Sequence, residues 1–371
     1  MSNHGRTLLR IAGPTLTCAL AAALTTGLTG PTASASAAHG AGGASVGAVA
    51  AAARTPGADI RVASFNVQSV SLDRTSGARR PWKVRRATVI RQILQERVDV
   101  IGLQELNPSN VFRSRLVAGT NMMLDLRNGL NRSGGRYRLN SNAAVNCARA
   151  ASSYRCRFAY RAASGSERIL YNTRTLTQLR RGFVRYSRQG VGAKMNGMVW
   201  SVLRSRVNGK RFLFTSTHLD ARSRSTRVAQ WQQMIAAIKR LRGNMPVVSV
   251  GDFNAHKFDP ITRTMLPAMK RAGVGDVLNQ QYRVNPSRGV RAERRVHAWV
   301  NSYNHSSRNV AGYGYPHARS KTGVSIDYIF ASNRLRVKEF KVVLNFDPRT
   351  LRVRGVLPSD HNMLRATVVL R

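Results

Sequence analysis

Acidic side chains are scarce in this sequence. Sixteen Asp and Glu stand against sixty Lys and Arg in 371 residues, a formal net charge of +44. Such a surface draws polyanions toward it and makes their binding depend on salt. Arg greatly outnumbers Lys, as high-GC coding would produce, and excess charge also aids solubility. Codon bias explains Arg in place of Lys better than it explains so few acids, and a polyanionic partner is favoured. Cysteine is rarer still: Cys18, Cys147 and Cys156 are too few for a thiolate-built metal centre. Beyond the first residues no stretch is apolar for long enough to cross a bilayer, and no internal repeat is visible.

What is present begins with a leader. Arg6 and Arg10 precede a run of small apolar residues at 11–29, and Ala35-Ser36-Ala37 offers a peptidase site. Residues 1–37 read as a cleaved secretory signal and 38–57 as a flexible Ala/Gly/Ser-rich leader. Neither a twin-arginine pair nor a lipoprotein cleavage site is evident, so free secretion is expected. Residues 58–371 are read as one domain, since no second linker of that composition interrupts them. In an oxidising compartment Cys147 and Cys156 are expected to staple a long loop, metal ligation being the weaker reading.

Within the domain, strands and helices alternate. Ile60 to Val67 reads as a strand, and Pro81 opens a helix with Trp82, Val89, Ile90, Ile93 and Leu94 on one face and Lys and Arg on the other. Val98 to Leu103 is the next strand, and Pro108 to Leu126 reads as helical. A long loop is expected over 127–166, then a strand at Ile169 to Asn172. Asn208-Gly209 predicts a hairpin between Met198–Val207 and Lys210–Thr217. A helix from Ser225 to Leu241, with Val228, Trp231, Ile235 and Ile238 on one face, leads into a strand at Val247 to Val250. A second irregular stretch, 279–323, interleaves Tyr282, Trp299, Tyr303, Tyr313 and Tyr315 with Arg, as a nucleic-acid platform or a solvated loop would. Further strands are expected at Ser325–Ala331, Leu335–Leu344 and Leu364–Leu370.

The polar residues at the ends of these strands are the ones that carry chemistry. Val247 to His256, VVSVGDFNAH, is the clearest case. Three valines make a buried strand, Gly251 is expected to free the backbone for a turn, and Asp252 and Asn254 share one side of an extended chain. Asn66, Glu105, Glu167, His218, Asp327, Asp360 and His361 occupy similar positions. Taken singly, each fits a cap, a surface carboxylate or a core histidine. Gathered, they form an oxygen-rich set without Cys, suited to Mg²⁺, Mn²⁺ or Ca²⁺ rather than zinc. The two histidines, each with a carboxylate to pair with, would supply an acid and a base.

The pieces SFNV, IGLQEL, THL, VGDFN, IDYIF and SDH, in that order, resemble the endonuclease/exonuclease/phosphatase superfamily of deoxyribonuclease I and the bacterial sphingomyelinases. The resemblance spans nearly the whole domain. It implies a four-layer α/β sandwich of two mixed β-sheets flanked by helices, with the site at one end. It implies that Glu105, helped by Asn66 and Asp360, holds a divalent cation, and that Asp252 and Asn254 orient water and a phosphoryl oxygen. Asp327 would pair with His361, and Glu167 with His218. His256 has no role in that pattern and reads as a surface residue. The loops at 127–166 and 279–323 match no subfamily, and substrate choice lives in such loops.

The expectation is therefore a secreted, metal-dependent phosphodiesterase acting on DNA or RNA, an endonuclease working as a monomer without stable membrane association. Its alternative is a sphingomyelinase-type phospholipid phosphodiesterase or an inositol-phosphate phosphatase, against which stands the lack of a Trp/Phe-rich loop tip.

Overall fold

β-Branched runs feed the sheets, and polar or turn-forming segments end them. Strand β1 (Ala58–Asn66) alternates between buried and exposed at its start and is buried on both faces by its end. That change marks its entry into the middle of a sheet covered on both sides. The computed structural model describes residues 57–73, 80–106, 121–142, 146–147, 163–164, 166–190, 196–280, 291–310 and 322–371. The signal and leader readings, Tyr282, Tyr313, Tyr315 and the side chains of Cys147 and Cys156 lie outside the described residues.

Helix α1 (Trp82–Gln95) follows β1, then β2 (Val100–Gln104), helix α2 (Met122–Arg132), β3 (Tyr137–Leu139), β4 (Asn146–Cys147), β5 (Ala163–Ser164) and β6 (Arg168–Asn172). β7 (Leu176–Arg185), β8 (Gly197–Ser205) and β9 (Arg211–His218) form a meander, after which come helix α3 (Arg224–Arg242), β10 (Val247–Asp252) and helix α4 (Pro260–Arg271). The chain closes with β11 (Val274–Asp276), β12 (Arg294–Val296), β13 (Asp327–Ser332), β14 (Arg336–Val343), β15 (Phe346–Asp347), β16 (Arg352–Val353) and β17 (Met363–Leu370).

Seven strands form one sheet in the order β12-β14-β17-β1-β2-β6-β3, and six form the other, β11-β13-β10-β9-β8-β7. Both are mixed: β1 runs parallel to β2 and β9 to β10, while their other neighbours are antiparallel. One apolar core, with Val100, Ile169, Phe214 and Val250, lies between the sheets. A second joins the first sheet to α1 and α2 through Trp82, Val89, Met122 and Leu126. The third joins the second sheet to α3 and α4 through Trp231, Phe253, Met265 and Phe330. The result is the four-layer sandwich the sequence led us to expect. Gly102 is needed where the two sheets meet, since a Cβ there would stand 2.3 Å from Val250 Cγ2 and 2.6 Å from Ser216 Oγ.

Several sequence readings need correction. Residues expected as loop at 127–166 include the last turns of α2 and strand β3. The irregular 279–323 stretch contains β12. Neither β7 nor α4 was anticipated: β7 is an edge strand whose centre is exposed and whose register slips between Gln178 and Arg180, and α4 carries Pro260 and Pro267. Arg85 does not join the solvent face of α1 but is fully buried. Gly251 does not end its strand. A Cβ there would lie 2.3 Å from the Thr217 carbonyl oxygen, so glycine is required by the closeness of β9.

Candidate active site

The parallel pair β9/β10 and the antiparallel pair β10/β13 bring their ends level, with His218, Asp252 and Asp327 in register as neighbours. β1 and β2 end at the same pole of the other sheet, delivering Asn66 and Glu105. The Pro358-Ser359-Asp360-His361 segment enters β17 beside them. Gln104 Nε2 donates to Ser216 Oγ at 2.9 Å, tying the sheets together at this pole.

Asn66 sits between two carboxylates, its Nδ2 lying 3.1 Å from Glu105 Oε1 and 3.1 Å from Asp252 Oδ2. Its Oδ1 accepts the Gln68 N–H at 3.0 Å. So placed, the amide holds the carboxylates in position and keeps its oxygen for the backbone. Glu105 has φ 58°, a left-handed backbone that turns its carboxylate into the pocket. Its Oε2 accepts the Ser69 N–H at 2.7 Å. Burial alone would raise its pKa, but His218, the Ser69 N–H, Asn66 and His361 together hold it below the ordinary value.

Asp252 and Asn254 do not share an extended chain. Asn254 adopts φ 49°, and its N–H donates to Asp252 Oδ1 at 2.9 Å, an Asx turn that folds the two side chains toward one another. Asn254 Nδ2 lies 3.0 Å from His218 Nε2 and donates to the Leu219 carbonyl at 3.0 Å. Asp252 Oδ2 lies 3.5 Å from His218 Nε2 and 3.7 Å from His361 Nε2. Burial first, then the Asp327 charge, raises the Asp252 pKa against the pull of both histidines.

His361 Nδ1 and Asp327 Oδ2 are 2.8 Å apart, both buried. Burial would lower the histidine's pKa, but Asp327, Asp252 and Asp360 carry it up to about 10. The imidazole is therefore a cation at neutral pH. Ser302 Oγ accepts the Asp327 N–H at 3.1 Å, and Ser359 Oγ accepts the His361 N–H at 3.1 Å while donating to the Asn66 carbonyl at 2.7 Å. Ser359 also lies 3.2 Å from Asp360 Oδ1. The SDH motif displayed Ser359 without revealing its role; Ser302 gave no signal at all.

Glu167 is buried, with Oε1 accepting the Ser166 hydroxyl at 3.2 Å. Its charge bears on Tyr186, whose hydroxyl is 2.7 Å from Thr217 Oγ1, the residue before His218. His256, read as a surface residue, is half-buried and accepts the Phe258 N–H on Nδ1 at 3.1 Å.

Two groups of side chains bear on a metal. Asp252, Asp327 and His361 offer ligand atoms within 4.8 Å of one another. A protonated histidine cannot ligate, however, and the 2.8 Å bond to Asp327 occupies Nδ1, so this trio is an ion-pair network while His361 keeps its proton. Glu105 fits a hard cation better. It is an ionised carboxylate with one donor on each oxygen, leaving lone pairs on both, and Asp360 adds a second carboxylate nearby.

Two sheets packed face to face, helices outside, and carboxylates, amides and histidines gathered at one pole define the deoxyribonuclease I-like class. The chain belongs to the Endonuclease/Exonuclease/phosphatase family, whose profile matches residues 63–361. It is 26% identical over 226 residues to Nocturnin of Drosophila melanogaster, which covers 58% of this chain; the chain spans only 32% of that relative. The mannosyl-6-phosphatase Bt3783 of Bacteroides thetaiotaomicron VPI-5482 superposes with a TM-score of 0.58 at 19% identity, covering 84% of this chain and all of its own. TDP2 of D. rerio, complexed with single strand DNA product, gives a TM-score of 0.51 at 13% identity over 84% of this chain and 98% of its own. These structures share the fold. Members of the family hydrolyse phosphate esters.

Proposed function

We propose that this chain is a secreted, divalent-metal-dependent phosphodiesterase that cleaves nucleic acid internally and acts as a monomer. The observation that carries the choice of substrate is the placement of its acids. All sixteen Asp and Glu lie among the described residues, and those outside the site pole are ion-paired, capping or buried. Most of the Lys and Arg have no carboxylate to answer them. A repeating polyanion gains from many such contacts at once, whereas a lone headgroup uses few. The chain's likeness to Nocturnin and to a TDP2 that holds a DNA product is in keeping with this reading.

Glu105 and Asp360 would hold the cation, with Asn66 orienting Glu105. Bound there, Mg²⁺ or a similar ion would supply positive charge against a phosphoryl oxygen. Asp252, with its raised pKa and with Asn254 fixed beside it, takes a proton from the attacking water. Asn254 and His218 position that water and a non-bridging oxygen. The His361 cation, its ring oriented by the Nδ1–H bond to Asp327, stabilises the negative charge that gathers as phosphorus becomes five-coordinate, and its Nε2 proton passes to the leaving oxygen as that P–O bond breaks.

Plasmid DNA, a folded RNA and sphingomyelin vesicles, offered side by side with and without EDTA, test the proposal. Nicking of plasmid that EDTA abolishes is expected. Turnover of sphingomyelin or of a phosphomonoester with the plasmid left intact would favour a lipid or small-phosphate hydrolase instead. Among the described residues the exposed large apolar side chains are Val84, Leu179, Val207 and Phe258, too dispersed in sequence to suggest a membrane-seeking tip.

A further inference from the structure

The open flank of the sandwich, away from the pole just described, collects cations with no carboxylate among them. Edge strand β3 of the first sheet sets Arg138 directly across from Tyr171 of β6. Edge strand β7 of the second sheet brings Arg181, two residues before the buried Phe183 and so on the same inward face, where its Nη1 donates to the Asn140 carbonyl at 2.6 Å. The β8–β9 turn adds Arg206, held at the 173–175 turn by its N–H on the Thr175 carbonyl at 2.8 Å. Arg138, Arg181 and Arg206 are exposed and none forms an ion pair among the described residues.

Tyr171 lies at the centre. Its ring belongs to the core between the sheets, and its hydroxyl has no hydrogen-bond partner among the described residues. Burial raises its pKa while all three guanidinium groups pull it down, in keeping with their convergence on one point. From Leu126 to Leu219 the chain has a single acid, Glu167, which is buried at the other end of β6. Segments outside the described residues therefore cannot bring a carboxylate here, because none of them contains one. Asp99, beyond the 172–175 turn, is buried and accepts the Arg61 N–H at 2.7 Å.

We infer that Arg138, Arg181, Arg206 and the Tyr171 hydroxyl form a second phosphate-binding site, which grips the backbone of a nucleic acid away from the scissile bond. The inference rests on the nuclease reading above and extends it. Tyr171 stands four residues along β6 from Glu167, about 13 Å at strand rise, or roughly four base-pair steps of a duplex. A chain of phosphates spans that gap; a single phosphomonoester does not.

The test compares wild type with the Arg138→Ala/Arg181→Ala/Arg206→Ala variant in EDTA, by anisotropy of a labelled oligonucleotide across a salt series. The variant should bind every sequence more weakly, with a salt slope shallower by about 3, one per lost contact. A second variant, Arg138→Ala/Arg206→Ala, keeps the Arg181 bond to Asn140 and should lose about 2. With metal restored, KM for long polymer should rise while turnover of bis(p-nitrophenyl) phosphate stays unchanged. Unaltered affinity and slope would overturn the inference, as would loss of binding to phosphatidylserine vesicles with oligonucleotide binding intact. If the slopes fall as expected but wild type cleaves no nucleic acid, the flank stands and the nuclease reading fails. Cleavage by wild type with unchanged slopes fails the flank alone.

Discussion

At the scale of single residues, the Asp327–His361 pair concentrates the most chemistry in the fewest atoms. Replacing His361 by Gln removes the buried cation and should lower kcat by about 10² to 10⁴, with oligonucleotide affinity largely kept; steady-state kinetics beside anisotropy checks both. The same pair governs stability. Because the folded protein raises the His361 pKa to about 10, above its unfolded value, the pair's contribution is complete below about pH 6.5 and is lost as pH rises through about 10. The gap in Tm between wild type and His361→Gln should therefore narrow from pH 8 toward pH 10.5, and a gap constant over that span would refute the assignment. These residues were legible in the sequence because a carboxylate in SDH or GDFN keeps its meaning when the surroundings are unknown. For Asn66 the resemblance implied help with the cation but not the contacts it makes. That its Nδ2 bridges Glu105 and Asp252 depends on two chain segments meeting from opposite sheets, which no local pattern encodes.

Elements carry the second kind of constraint. Arg85 reaches from α1 to the carbonyls of Val67, Gln68 and Pro358 and to Asp73 at 2.8 Å, fastening the loop after β1 to the loop before β17. Helical spacing sets it on the stripe of Trp82, Val89 and Ile93, but its charge argues for water and hid its burial. Replacing it by Met removes the guanidinium from half-buried Asp73, which keeps the Trp82 N–H at 2.8 Å, and frees the three carbonyls; it should cost about 1–3 kcal/mol, measurable by urea denaturation. Gly251 is a similar case at strand level. Gly251→Ala would press a methyl against the Thr217 carbonyl and part β9 from β10 where His218 and Asp252 meet. A loss of about 1–3 kcal/mol together with a fall in kcat is expected; full activity would show that the strands tolerate separation. Regular, fully buried strands such as β10 were plain in the sequence, and so was the Asn208-Gly209 hairpin, because turn chemistry is local. β7 was hidden, since an edge strand rich in Arg has no unbroken alternation to display.

For the whole molecule, the excess of positive charge bears on stability. Like charges across so small a body repel, and at low ionic strength the repulsion reaches about 30 Å, against about 8 Å at physiological salt. Tm should therefore climb from dilute buffer to physiological salt, and climb further with polyphosphate than with chloride; scanning calorimetry decides, and a flat response would show the charges already balanced. One consequence of the architecture concerns timing. The first sheet supplies Asn66, Glu105, Asp360 and His361, the second His218, Asp252, Asn254 and Asp327, and the bonds from Asn66 to Asp252 and from His361 to Asp327 join the two sets. A half-formed chain thus owns half a pocket, and the constellation exists only once both leaves have closed.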